Sequence, residues 1–163
     1  MDKRIARILC DLGYIADCTC TPGISWDKQP GWSIGSAGTD WSDYSNEITV
    51  LHKNNRGNIL LEIPTTVISR EKGITPSWFR PNGSNTESML NMIDHLYDTD
   101  SEYIEFMIHS SELMPSGSPT FKNKGQIEKL YEGLEMIFEK LSEKGYTGVG
   151  LSDFAEIKIG DYQ

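Results

Sequence analysis

Ile5, Ile8, Leu9 and Leu12 fall on one face at helical spacing, and Gly13 stands where a helix C-cap belongs. Ile15 to Thr19 then reads as a buried strand. Ile48 to His52 and Asn58 to Pro64 are two more strand segments, and Arg56-Gly57 between them predicts a hairpin. Ser84-Asn85-Thr86-Glu87 has the spacing of a capping box and precedes a helical stripe of Met89, Leu90, Ile93, Leu96 and Tyr97. Tyr103 to Ile108 is an apolar run broken by Glu105, the pattern of a buried strand in a mostly parallel sheet. The strongest helical signal runs from about Gly125 to Lys144. Ile127, Leu130, Tyr131, Leu134, Ile137, Phe138 and Leu141 form its apolar face, Glu and Lys its solvated one, and Gly145 its end. A short strand at Tyr146 to Gly150 and a last helical turn at Ser152 to Glu156 follow. Strand, long helix and strand predict a βαβ unit with parallel strands and a right-handed crossover.

Cys20 to Glu47 has little periodicity and is rich in Gly, Ser, Asp and Pro. Loops of that length in compact domains are functional or disordered. Trp26, Trp32 and Trp41 favour an ordered excursion, because disordered segments are poor in aromatic residues. The chain has 163 residues, enough for one domain with a real core, spanning 1–163. Its net charge of −9 and scattered basic residues argue against nucleic acid and fit a neutral or weakly cationic ligand better. No apolar run reaches the length of a membrane span. Met1 to Arg7 is followed by no apolar stretch of the secretory kind, so the expected compartment is the cytoplasm. Three cysteines make no disulfide framework. Cys18 and Cys20, two apart, read as core thiols of a strand rather than a chelating pair.

Four strings carry a resemblance. Phe106-Met107-Ile108-His109-Ser110-Ser111-Glu112-Leu113 places a His at a strand's end, the edge at which α/β sheets and barrels hold ligands. It is followed by a polar loop, the long helix and Gly145-Tyr146. Leu12-Gly13-Tyr14 with Trp26, Asn58 to Pro64, and Trp78-Phe79-Arg80-Pro81-Asn82-Gly83 are the other matching strings. In order and spacing the chain resembles the C-terminal portion of polysaccharide deacetylases of the NodB-like, carbohydrate esterase 4-like type, in a subgroup associated with surface-polysaccharide synthesis.

The resemblance implies an α/β fold, the C-terminal part of a distorted (β/α) barrel with the N-terminal strands missing. It implies hydrolysis of N-acetyl groups on a sugar polymer or precursor. His109 would protonate the departing amine, with Trp26 and Arg80 binding substrate. Those three are expected to line one cleft. The family's Asp-Asp and His-x-x-x-His strings do not occur here, and Ser25 stands where the family has an Asp before the Trp. The chain alone is therefore expected to bind no metal and to be inactive by that mechanism. A divalent, zinc-like metal belongs to the complete family domain. The alternative is a non-catalytic carbohydrate-binding remnant. Unpaired edges at Tyr103 to Ile108 and Tyr146 to Val149 would favour self-association through an incomplete sheet. His52 and His95 carry no assigned role.

Overall fold

The computed structural model describes residues 3–26, 38–68 and 77–162; Trp32 lies outside them. The architecture is mixed α/β, with helices and two small sheets, and the described residues close no barrel. By contact density the chain forms two compact units, Met1–Trp78 with Val149–Gln163, and Phe79–Gly148.

The first unit opens with α1 (Lys3–Asp11), which the apolar spacing predicts. Gly13 adopts a φ of +89°, and the Tyr14 amide donates to the Leu9 carbonyl, closing the helix with the left-handed turn that glycine tolerates best. The buried side of α1 is not the expected one. Ala6 and Cys10 pack with Leu60, while Ile5, Ile8 and Leu12 remain exposed. Small residues won the inner face because α1 lies close against the hairpin.

That hairpin is formed by β2 (Thr49–Lys53) and β3 (Ile59–Glu62), antiparallel as predicted, with a register shift between Val50 and His52. Its turn is organised by Asn54, whose Oδ1 accepts from the Arg56 and Asn58 amides, and by Gly57 at a φ of +87°. β1 (Ala16–Asp17) pairs with β3 in parallel, so the sheet order is β1-β3-β2. As the central strand, β3 is buried throughout, on both faces. Cys18 to Cys20 lie beyond the end of β1; Cys20 is buried and Cys18 half-buried. The described ends of the Trp-rich excursion pair with each other. The Trp41 amide donates to the Ile24 carbonyl at 2.9 Å, and the Trp26 amide to Thr39 at 2.7 Å. β4 (Val67–Ile68) and β5 (Ser77–Trp78) make the second sheet, antiparallel. α4 (Leu151–Gly160) is longer than the single turn expected, and Tyr162 just beyond it donates to the Ile48 carbonyl.

The second unit is built on α2 (Thr86–Asp98) and α3 (Lys124–Glu143), both predicted. Asn123 caps α3 by accepting from the Gln126 amide. The capping box expected for α2 does not form: its N-cap is Asn85, whose side chain instead joins the Arg80 carbonyl to the Asn82 amide. α2 and α3 approach closely at Gly133, where a Cβ would meet Thr86 Oγ1 at 2.5 Å. Lys140 and Lys144 both reach Asp94 Oδ1 at 2.9 Å. This pairing holds the Asp94 carboxyl below its usual range and the Lys144 ammonium above its own.

Two predicted strands are corrected here. Tyr103 to Ile108 and Tyr146 to Gly150 join no strand ladder among the described residues, so the expected βαβ unit does not form. A strand needs a neighbour for its backbone groups. The apolar side chains instead pack on helices and loops: Phe106 lies against Phe79 and Phe138, and Ile108 against the Phe121–Ile127–Leu130 cluster.

Candidate functional site

His109 sits where the Phe106–Ile108 run ends and a 3₁₀ turn, Ser110–Leu113, begins. It is the N-cap of that turn, and its side chain is exposed. The turn is set by Glu112. One carboxylate oxygen, Oε2, accepts from the His109 amide at 2.9 Å, and the Glu112 amide returns a bond to the His109 carbonyl at 2.8 Å. The other oxygen, Oε1, receives Arg80 Nη2 at 2.9 Å. Glu112 is almost fully buried, and a buried carboxylate requires such partners. Arg80 and His109, far apart in sequence, are thus brought together by Glu112. A Glu three positions after a His at the start of a polar turn is the capping-box spacing, and that was the available signal.

Trp26 lies elsewhere in the chain, in the first unit. Its ring meets Trp78 edge-on, with centroids 6.4 Å apart, and both residues are half-buried. Trp41 is buried and packs edge-on against the more exposed Tyr44 at 4.8 Å. Trp41 and Tyr44 border an open concavity of about 670 Å³, to which Asp17, Thr19 and Asp40 contribute polar groups. Asp40 is held below the ordinary carboxylate range by hydrogen bonds from the Ser42 hydroxyl and amide.

Next to that concavity is a group that periodicity could not reveal. Glu62 is 2% exposed in the central strand. Its Oε1 accepts from the Cys20 amide at 2.9 Å, whereas Oε2 meets no donor. The side chain within hydrogen-bonding reach is that of Asp17, its register partner on β1. Two carboxylates cannot bond to one another, so the contact is attractive only when one of them carries a proton. Burial, opposed by the Cys20 amide and reinforced by Asp17, pushes the Glu62 carboxyl up to about 8. Thr19 Oγ1 donates to Asp17 Oδ2 at 2.6 Å. Cys20, buried beside Glu62, has its thiol pushed up to about 12 by burial and then by that carboxyl.

Among the described residues no group of three or more His, Cys, Asp or Glu side chains is placed to hold a metal ion. No helix among the described residues is long and apolar enough to cross a membrane. Comparison with protein-family models, with curated proteins and with solved structures finds no match to this chain.

Proposed function

We propose that the chain is the His109-bearing part of a polysaccharide-deacetylase-type domain and that its ligand is an N-acetylated sugar. The observation carrying this reading is the Arg80–Glu112–His109 linkage, which fixes the backbone from which an exposed imidazole projects. In this reading His109 delivers a proton to the amine nitrogen that departs when the acetamide is cleaved. Arg80 and Glu112 do not touch the reacting atoms; they hold the backbone from which His109 projects. The strings that hold the metal in that family do not occur in this sequence, so the chain alone is proposed to be inactive.

A second reading, carbohydrate binding without catalysis, is favoured by the aromatic surfaces at Trp26–Trp78 and at Tyr44. Sugar rings stack their C–H faces on such rings while hydroxyls take the neighbouring acceptors. A titration of the chain with an N-acetylglucosamine tetramer, followed by amide and indole NMR, tests both. Shifts at the His109 and Arg80 amides, abolished by His109→Ala, support the first reading. Shifts confined to the Trp26 and Trp78 indoles support the second. A spectrum unchanged into the millimolar range overturns both.

A further inference from the structure

A different face of the first unit carries an arrangement unlike the rest of this acidic chain. Arg7 on α1, Lys53 at the end of β2 and Arg56 in the hairpin turn border one cleft of about 520 Å³, together with His52, Asn54, Asn55 and Asp11. In a chain of net charge −9, three cations meet here against a single carboxylate. That carboxylate is engaged by an amide, since Asn54 Nδ2 donates to Asp11 Oδ1 at 3.0 Å. Arg7, Lys53 and Arg56 form no ion pair with any described residue.

The walls are fixed before any ligand arrives. The Asn54 and Gly57 turn sets the hairpin tip, and Asn54 ties that tip to the last residue of α1. A second link runs between Asn58 and Cys10: the Asn58 amide side chain donates to the Cys10 carbonyl, and the Cys10 thiol to the Asn58 carbonyl. Cationic side chains thus stand together on a rigid frame with unspent donors. An anion here can be received by several guanidinium and ammonium donors at once.

We infer that this cleft binds a phosphate or diphosphate group. Its donors suit tetrahedral oxyanions, which accept on several sides, and arginine engages such groups in bidentate fashion. The group could be borne by a soluble nucleoside-diphosphate sugar or by a phosphorylated lipid, and the chemistry recognised is the same. The inference does not depend on His109, since none of the cleft residues belongs to the linkage around it.

The test is calorimetry and amide NMR on the full chain at low ionic strength, with inorganic pyrophosphate as the probe. Expected is saturable one-to-one binding with shifts at Arg7, His52 and Arg56. Arg7→Ala and Arg56→Ala should each weaken it by about tenfold, the equivalent of one charge-assisted bond. Both side chains are exposed, so the melting temperature should not move. Parallel titrations with a nucleoside-diphosphate sugar and with vesicles containing phosphatidic acid assign the source by whichever binds more tightly than pyrophosphate. Absence of any shift with pyrophosphate overturns the inference. Binding that survives both substitutions, or that occurs with an RNA oligonucleotide but not with pyrophosphate, overturns it equally.

Discussion

Glu62 and Asp17 stand opposite one another on adjacent parallel strands, the first buried and the second half-buried at the border of the open concavity. Sequence alternation treats each as one polar residue in a strand. The pairing of β1 with β3 sets the two carboxyl-bearing side chains side by side.

That pair fixes a pH dependence. Unfolded, the Glu62 carboxyl releases its proton near 4.5; folded, it keeps it up to about 8. Its contribution to stability is therefore full below 4.5, falls as pH rises across that window, and is gone above about 8. The difference sets an upper bound of about 5 kcal/mol on the effect. Glu62→Gln keeps an acceptor for the Cys20 amide and supplies a donor toward Asp17. The variant should show a flatter stability curve between pH 5 and pH 8, about neutral at the acid end and more stable than the parent at the alkaline end. Denaturant titrations across that range check it, and parallel curves for the two proteins would refute it.

Thiol reactivity should separate the three cysteines. Burial pushes the Cys10 thiol up, and Cys20 is pushed up to about 12, so neither offers thiolate at neutral pH. Iodoacetamide on the folded chain should label the half-buried Cys18 first, with Cys10 and Cys20 labelled only on unfolding. Peptide mapping by mass spectrometry reads the order, and early labelling of Cys20 would contradict the structure around Glu62.

Arg80→Ala should destabilise the second unit by about 1–3 kcal/mol, the range for leaving a buried carboxylate short of a partner. Arg80 is about one-third exposed, so water will reduce the loss toward the lower end. His109→Ala removes an exposed side chain and leaves the amide bond to Glu112 intact, so stability should stay within about 0.5 kcal/mol. Thermal melts of the two variants give the contrast.

Gly133→Ala should cost stability despite alanine's better helix propensity, because the new methyl meets Thr86 Oγ1. Thr86→Ala removes that obstacle. The double variant should recover most of the loss, with a coupling of about 1 kcal/mol in a double-mutant cycle. Additive losses would mean that α2 and α3 are not in contact at this point.

Exposed Ile5, Ile8 and Leu12 on α1 predict self-association at high concentration. Replacing Ile8 and Leu12 with glutamate should suppress it. Sedimentation of the parent as a monodisperse monomer at every concentration would refute this.

Much of the frame was legible. The stripes Ile127 to Leu141 and Met89 to Leu96 gave α3 and α2, and Arg56-Gly57 gave the hairpin turn. Failure came where a residue's state depends on its neighbours. Tyr103 to Ile108 has strand composition but no ladder partner among the described residues, and composition cannot supply one. Ile5, Ile8 and Leu12 form an apolar stripe, yet close packing against the hairpin put Ala6 and Cys10 inside. Of the candidate site, Arg80 and His109 were read from local strings, while their joining through Glu112 depends on tertiary packing. Glu62 and Asp17, forty-five positions apart, became a pair only through strand register.

The first unit takes its residues from both ends of the chain, and the second lies wholly between them. On a ribosome this imposes an order. Phe79–Gly148 is one uninterrupted stretch, so α2 and α3 can dock while synthesis continues. The first unit must wait for α4 and for the bond from Tyr162 to Ile48, a closure across most of the sequence that is slow for entropic reasons. Nascent chains stalled before Val149 should hold a protease-resistant second unit beside a first unit still open to cleavage.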